Sequence, residues 1–153
     1  VESLAVEVEP DSWRRYQGEG GEARWLQPDL AATISTLDYE DRWFVEVDCG
    51  TESLPTLLRK CHQYERYRAS GSEQHRHGAF PLVLWVFTHQ RQDEAIERLA
   101  RLRTAVQRTS GLTPPLYRYA TTDTVTSTVA QQVDDQAGEP TQTGGSDGLG
   151  DHP

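Results

Sequence analysis

The stretch Arg42-Trp-Phe-Val-Glu-Val-Asp-Cys-Gly-Thr-Glu52 decides both the fold and the function that this sequence predicts. Its first seven residues have the composition of a β-strand, and successive side chains of a strand point to opposite faces. One face then carries Phe44, Glu46 and Asp48, and the other carries tryptophan and valine. A strand that packs into a core has no packing reason to place two carboxylates on its inner face. We therefore interpret Glu46 and Asp48 as candidate functional residues.

Three other residues lie where they could join this acid pair. Asp29 follows a proline at a turn before another predicted strand, Glu52 lies just beyond the glycine that ends the strand, and Lys60, the only lysine, lies on the next helix. Carboxylate oxygens are preferred Mg²⁺ ligands, and metal-bound water can attack a phosphodiester. The sequence therefore predicts a Mg²⁺ (or Mn²⁺) site with Asp29, Glu46 and Asp48 as ligands. Glu52 would support the site, and Lys60 would stabilise charge on the phosphate.

Two alternatives to a magnesium site stay open. In the first, Asp29 caps a turn, Asp48 closes a hairpin and Glu46 is exposed on a one-sided sheet, so that no site exists. In the second, a zinc ion is bound by cysteine and histidine, although the spacings match no usual zinc pattern. The residues available for zinc are Cys49, Cys61, His62, His75, His77 and His89.

The rest of the chain predicts an α/β domain with a mixed sheet flanked by helices, in the order β, β, β, α, β, α, β. Strands are expected at 3–8, 30–35, 42–48, 80–87 and 116–120, and helices at 54–68 and 92–108. Residues 13–21 and 70–78 are expected to be loops. The continuous apolar run from Phe80 to Phe87 is typical of a strand buried on both faces. The helix from 92 should turn Ile96, Leu99, Leu102 and Val106 inward. Trp25, Trp43 and Trp85 are expected in the core rather than stacked on bases.

Residues 1–122 are expected to form this domain, and residues 123–153 an acidic, disordered tail, because from about residue 126 the composition is dominated by Gln, Asp, Gly, Thr and Pro. No apolar run approaches the roughly 20 residues that span a bilayer, so no membrane association is expected. A cytoplasmic location is the default. The absence of methionine, even at position 1, suggests a fragment of a longer chain.

The net charge of −9 is unevenly distributed along the sequence. Residues 1–52 carry −9, residues 53–118 carry +6 and residues 119–153 carry −6. The acidic total therefore does not exclude a nucleic-acid partner, since a basic segment follows the acidic cluster. The arginines expected on the outer surface of the second helix are candidate DNA contacts, or simply a solvated helix face. They are Arg91, Arg98, Arg101 and Arg108.

Several motifs carry a resemblance to a known family. Pro28-Asp29, followed by a strand and then by Glu46-Val-Asp48, resembles the PD-(D/E)xK nuclease core. More specifically, residues 26–30, 44–53, Lys60, Tyr64-Glu-Arg-Tyr67 and 80–86 resemble the replication-relaxation family, with a match over roughly residues 1–122. That family comprises plasmid and mobile-element proteins, mostly actinobacterial, linked to plasmid replication and DNA relaxation. Such proteins usually carry a winged helix-turn-helix before this region.

The resemblance implies a restriction-endonuclease-like fold and a DNA-processing function, with metal-dependent cleavage or nicking of a phosphodiester. The nuclease motif has a lysine where this chain has Asp48. Some members of that superfamily carry the lysine on the following helix, which is where Lys60 lies. If Lys60 does not reach the acids, the alternative is a non-catalytic DNA-binding or assembly module. The expected partners are double-stranded DNA and other plasmid replication or transfer proteins, with a homodimer as an open alternative.

Overall fold

The computed structural model describes residues 1–137 of the chain, as seven strands and four helices. The strands are β1 (Ser3–Val8), β2 (Arg14–Gln17), β3 (Ala23–Leu26), β4 (Leu30–Ser35), β5 (Glu40–Asp48), β6 (Leu82–Phe87) and β7 (Tyr117–Thr121). The helices are α1 (Leu54–Ser70), α2 (Ser72–His77), α3 (Gln92–Arg108) and α4 (Val125–Ala137), and a 3₁₀ turn at Pro114–Leu116 precedes β7.

Five strands form one mixed sheet in the order β1-β4-β5-β6-β7. The first three are antiparallel neighbours, and β5, β6 and β7 run parallel. The parallel pairs need crossover connections, which α1 with α2 and then α3 provide. Strands β2 and β3 form a separate antiparallel hairpin. The carboxyl ends of the three parallel strands therefore meet at one edge of the sheet, where Glu46 and Asp48 lie.

Helices cover both faces of this sheet. On one face, the core contains Phe44 and Trp85 from the strands together with Tyr64 of α1 and Leu102 of α3. On the other face, Trp43, Val45, Leu84 and Ala120 form a smaller cluster, against which Val125 and Val129 of α4 pack. This is the mixed α/β sheet flanked by helices that the sequence predicts.

Local sequence signals explain where α1 begins and ends. The Ser53 hydroxyl accepts a hydrogen bond from the Thr56 N–H, and Pro55 lies in the first turn, where its missing N–H costs nothing. Gly71 ends the helix with a φ of 74°, a left-handed conformation that glycine adopts without strain. The helix that carries Lys60 is thus fixed at both ends by its own sequence.

Three segments differ from the sequence prediction because they gain structure from tertiary contacts. The connection at 13–21 contains β2, whose hydrogen-bonding partner is β3, and the loop at 70–78 contains α2. The tail expected from residue 123 begins as α4, because Val125 and Val129, one turn apart, pack on the sheet. The remainder of that predicted tail, residues 138–153, lies outside the described residues.

Two predicted core residues are exposed. Trp25 is 55% exposed on the β2–β3 hairpin, with its ring edge against Trp13 at a centroid distance of 6.4 Å. Ile96 is also exposed, and Ala95 takes the buried position at the start of α3. The Trp25 prediction was wrong because a four-residue strand leaves the direction of a side chain to the surrounding packing. The Ile96 prediction was wrong because the buried face of α3 is centred on Ala95, Leu102 and Val106. Within residues 1–137, no helix has the length and apolar character needed to cross a membrane.

Candidate functional site

Glu46 and Asp48 both point from β5 toward the helices, on the face that the alternation of the strand predicts. In the parallel register, Glu46 lies beside Trp85 and Asp48 beside Phe87 of β6. Both residues are almost inaccessible to solvent, with 4% and 3% of their surface exposed. Two carboxyl groups are therefore held inside the domain, at the carboxyl end of the parallel strands.

Glu46 is strongly perturbed by its surroundings. Its Oε1 accepts a hydrogen bond of 2.7 Å from the hydroxyl of Tyr64, which is itself fully buried. Burial raises the pKa of Glu46 to about 8, the hydrogen bond from Tyr64 opposes this shift, and the negative charge of Asp29 adds to it. Glu46 is therefore mostly protonated at neutral pH.

Lys60 reaches these acids from α1. Its Nζ lies 2.9 Å from Oε1 of Glu52 and 3.9 Å from Oε2 of Glu46. Burial alone would lower the pKa of Lys60, but the hydrogen bond to Glu52 and the nearby carboxylates raise it above its usual value. The lysine is therefore a fully charged ammonium group, with 30% of its side chain exposed. The other oxygen of Glu52, Oε2, is buried and finds no hydrogen-bond partner within residues 1–137.

Asp29 joins the cluster from the neighbouring strand. It lies immediately before β4, and its Oδ2 accepts a hydrogen bond of 2.7 Å from the backbone N–H of Val47. This bond holds the carboxylate of Asp29 beside the end of β5, between the positions of the two buried acids. Asp29, Glu46, Glu52 and Lys60 are therefore brought together, and we call these four residues the acid–lysine cluster.

A tight turn after β5 returns the chain toward this cluster. Gly50 has a φ of 82°, and a Cβ atom there would lie 2.9 Å from Cδ2 of His89. Any other residue would therefore be both strained and too close to His89. The turn allows Glu52 to follow β5 closely and α1 to start at Leu54, which places Lys60 next to the strand from which the chain has just emerged.

Asp48 does not join the acid–lysine cluster. The guanidinium of Arg98, on α3, binds both of its oxygens, through Nε at 2.6 Å and Nη2 at 2.8 Å. The same Nη2 also donates to the backbone carbonyl of Glu52 at 2.7 Å. Arg98 thus neutralises the buried Asp48 and ties it to the turn, and it does not project outward as the helical pattern predicted.

The contacts of the buried acids show whether the predicted metal ligands lie together. Within residues 1–137, no group of three or more His, Cys, Asp or Glu side chains is arranged to hold a metal ion. The predicted trio of Asp29, Glu46 and Asp48 is not assembled, because Arg98 occupies both oxygens of Asp48. The zinc alternative likewise finds no cluster in the described part of the chain. Both cysteines are free thiols, Cys49 exposed and Cys61 buried.

The other three arginines predicted to contact DNA differ in how free their charges are to bind phosphate. Arg91 pairs with Asp93 at 2.9 Å and with Glu94 at 3.4 Å, so its charge is partly neutralised. Arg101 and Arg108 are exposed on α3 and line a shallow groove with Leu54 of α1. The basic surface of α3 is therefore smaller than the sequence pattern suggests.

Tyr64 and Arg98 are the polar partners of the buried acids, and sequence reasoning did not assign these contacts. Tyr64 lies one helical turn after Lys60, so the spacing of α1 places it near the lysine, but its hydrogen bond to Glu46 was not predicted. Arg98 is separated from Asp48 by 50 residues. No local signal distinguishes it from the other arginines of α3.

The fold and the site together define a mixed α/β domain with an acid–lysine cluster at the carboxyl end of its central strand. The chain belongs to the replication-relaxation family, whose model matches residues 2–83, just over half of the sequence. The matched segment contains all four residues of the acid–lysine cluster and Tyr64, whereas Arg98 lies beyond it. No curated protein and no solved structure matches this chain.

Proposed function

We propose that this chain is a DNA-processing domain of a plasmid replication-relaxation protein, and that it cleaves or nicks a DNA strand with Mg²⁺ or Mn²⁺. The observation that carries this proposal is the position of Lys60. Its amine lies 2.9 Å from Oε1 of Glu52 and 3.9 Å from Oε2 of Glu46, and the negative charge of Asp29 helps to raise its pKa. Carboxylates and a lysine gathered at one strand end are the groups that metal-dependent hydrolysis of a phosphodiester requires.

The arrangement also supports a nuclease core of the PD-(D/E)xK and restriction-endonuclease-like type. Asp29 precedes β4 and Glu46 lies on β5, as the motif demands. The usual lysine position is Asp48, but the amine of Lys60 reaches the same acids from the following helix. The cluster therefore contains the acid and lysine side chains of that motif, with the lysine supplied by α1.

The donor set fits Mg²⁺, which binds proteins through one or two carboxylates and retains waters. Asp29 and Glu46 would be the ligands, and Glu52 has a buried oxygen, Oε2, without a hydrogen-bond partner in the described part of the chain. A bound metal would supply Lewis-acid activation of water and stabilise charge on the phosphate. Asp48 would not serve as a ligand while Arg98 holds it.

Side chains of the cluster would then orient the metal ligands and supply the positive charge that contacts the phosphate. Glu46 would release its proton before it could act as a ligand, and the hydroxyl of Tyr64 would keep its carboxylate oriented. Lys60 would exchange its contact with Glu52 for a phosphate oxygen. In the reaction, a water oxygen forms a bond to phosphorus, the bond from phosphorus to a sugar oxygen breaks, and that oxygen takes up a proton while the water loses one.

The test is nicking of supercoiled plasmid in Mg²⁺ or Mn²⁺ by the wild-type chain, Glu46→Gln and Lys60→Ala. We expect conversion to the nicked form by the wild type and a loss of roughly a hundredfold or more in either variant. Matched controls are Glu40→Gln, at the exposed opposite end of β5, and Arg66→Ala, on the exposed face of α1. Equal nicking by all five proteins, or by none of them, would contradict the catalytic proposal.

A second candidate is a non-catalytic DNA-binding or assembly module of a plasmid replication or transfer complex. The ion pair of Asp48 with Arg98 favours it, because this pair removes one acid from the predicted metal set. The exposed arginines Arg101 and Arg108 would then contact phosphates of double-stranded DNA. This candidate predicts binding that weakens with salt and does not change with EDTA.

The salt dependence of binding tests this second candidate directly. Replacing both Arg101 and Arg108 with alanine should reduce the slope of log affinity against log salt by about two. Arg91→Ala should change it less, since Arg91 is already paired with Asp93 and Glu94. Binding that is abolished by EDTA would argue against this candidate and in favour of the metal-dependent one.

A further inference from the structure

Strand β1 is an open edge of the sheet with an apolar face. It pairs with β4 on one side only, and all six of its residues are exposed. Leu4, Val6 and Val8 share one face and are 62%, 51% and 56% exposed. An edge strand leaves part of its N–H and C=O groups unpaired, and this one combines them with a row of aliphatic side chains.

The usual protections of an edge strand are weak here. Natural edges carry lysine, proline or an inward-pointing charge, which prevent pairing with another strand. Within β1 the only charged residue is Glu7, and it is paired with Arg14 of β2 at 3.1 Å. The free edge is therefore neither interrupted nor strongly charged.

The apolar row of β1 continues across the sheet. Leu4 lies opposite Ile34, Val6 opposite Ala32, and Val8 opposite Leu30. Helix α4 packs on this same face over Trp43, Leu84 and Ala120, and its last turns contact Tyr39 and Asp41 at the start of β5. Leu4, Val6 and Val8 nevertheless remain more than half exposed in the part of the chain that the structure describes.

The chain beyond α4 is a poor candidate to cover this surface. Residues 138–153 are rich in Gly, Asp, Thr and Pro, and Leu149 is their only large aliphatic side chain. Burial stabilises in proportion to the apolar area that both partners contribute, and a segment of this composition has little apolar area to contribute. The occupant must itself supply an extended apolar strand.

We propose that β1 of a second copy of this chain pairs with β1 in antiparallel orientation, across a two-fold axis at Val6. In an antiparallel pair, opposed residues share a face. With Val6 opposite the partner's Val6, Leu4 lies opposite the partner's Val8, so that aliphatic residues meet in every pair on this face. On the other face, Glu7 lies opposite the partner's Ala5.

The charges of the strand favour this register. An axis at Glu7 would oppose two like charges, which destabilises a pair of strands. An axis at Val6 opposes no two acids along the strand and uses all three aliphatic residues. The two five-stranded sheets would then form one continuous ten-stranded sheet. This interface makes no use of the acid–lysine cluster and does not depend on the proposed function.

The expected dimer is weak. A standard protein interface buries roughly 800 Å² on each partner, and a single six-residue edge strand contributes less than that. We therefore expect reversible association at micromolar concentrations or above. Sedimentation of the full chain over a range of concentrations measures it. A chain that stays monomeric at high micromolar concentration would overturn the proposal, even if β1 paired with a strand of some other protein.

Substitution on the edge locates the interface. Val6→Lys places two like charges opposite each other at the axis, and we expect association to weaken by roughly tenfold or more. Leu4→Lys should act in the same direction. The control is Leu37→Lys, a leucine that is 85% exposed in the β4–β5 turn, and this variant should associate as the wild type does. Because these residues are exposed, circular dichroism should confirm that all variants fold. Unchanged association of folded Val6→Lys would overturn the proposal.

Cross-linking tests the register. In a Cys49→Ser background, Val6→Cys places two thiols directly opposite each other, within the short Cβ separation that a disulfide needs. Ala5→Cys is the control, because its opposed residue is the partner's Glu7. Faster disulfide dimer formation by Val6→Cys supports the two-fold axis at Val6. Equal rates for the two variants would overturn that register.

Discussion

Glu46 combines a buried carboxyl group with a hydrogen bond of 2.7 Å from Tyr64, and this environment makes the stability of the domain depend on pH. The pKa of Glu46 is about 8 in the folded chain, mainly because of burial, against an ordinary value of 4.5. The folded state thus retains a proton that the unfolded chain has lost between these two values. Stability due to this residue is fully present below pH 4.5, decreases as the pH rises toward 8, and is constant above it.

We expect Glu46→Gln to remove this dependence, because glutamine resembles the protonated acid. The free energy of unfolding of Glu46→Gln, relative to the wild type, should rise by about 1.4 kcal/mol for each pH unit between about pH 5 and 8. Urea unfolding at several pH values measures it, with Glu40→Gln as the exposed control. A difference that does not change with pH would show that Glu46 is ionised in the folded chain.

The pair of Asp48 and Arg98 yields a prediction about stability. The Asp48 side chain is only 1% exposed, so Arg98→Ala leaves a buried carboxylate without its counter-charge, at a cost of about 3 kcal/mol. Arg101→Ala, one turn later on the exposed face of α3, should stay within about 0.5 kcal/mol of the wild type. Chemical denaturation measures both.

The double variant Arg98→Ala/Asp48→Ala checks the cause. If the cost comes from an unpaired charge, the double variant should lose less stability than the sum of the two single variants. Additive losses would indicate that the two residues act separately, and that Arg98 contributes mainly through its bond to the backbone of Glu52.

At the scale of elements, α4 covers the face of the sheet opposite to α1 and α3. Val125 and Val129 pack on Trp43 and Leu84, and the hydroxyl of Tyr39 donates to the carbonyl of Val133 at 2.7 Å. A composition with few aliphatic residues therefore does not exclude a helix here, because valines spaced at one turn suffice to dock it on a sheet.

We expect Val129→Asp to lower the free energy of unfolding by about 2 kcal/mol, because it removes apolar burial and places a charge against the sheet. Ala130→Asp, on the exposed face of the same helix, should have a much smaller effect. Tryptophan fluorescence during urea unfolding measures this, and Trp43 beneath α4 should become more exposed in the first variant only. Equal effects would mean that α4 does not pack stably on the sheet.

At the scale of the whole molecule, one cysteine thiol lies on the surface and the other lies in the core. Cys49 is exposed and Cys61 is completely buried, where burial raises its pKa to about 12. A thiol-specific reagent should therefore modify one cysteine in the native protein and both after unfolding. Mass spectrometry counts the modified thiols. Rapid modification of Cys61 in the native state would contradict the packing of α1 on the sheet.

Much of the fold follows from local pattern. The alternation of residues 42–48 predicts the faces of β5, the apolar run before Phe87 predicts a central strand, and the amphipathic pattern of 92–108 predicts α3 with its observed bounds. Helix and strand periodicities depend on residues that are close together in the chain, so they can be recognised in a single sequence. Short elements such as β2 and α2 escape this reasoning, because they depend on partners that are distant in the sequence.

The acid–lysine cluster was predictable in part. The position of Asp29, Glu46 and Lys60 on consecutive elements could be inferred from spacing, since a strand, a turn and a helix return the chain to the same edge of the sheet. The different partners of Glu46 and Asp48 could not be inferred from spacing. Glu46 stays protonated against Tyr64 while Asp48 pairs with Arg98, and that difference depends on which side chain packing brings to each oxygen.

The sequence determined which residues of β5 share a face, the bounds of α3, and the inward direction of Glu46 and Asp48, because these follow from covalent geometry and local periodicity. Only the tertiary structure decided the partners of the acids, the docking of α4 and the exposure of β1, because these depend on contacts between residues far apart in the chain. Burial energy and charge pairing act through such contacts, and local pattern does not contain them.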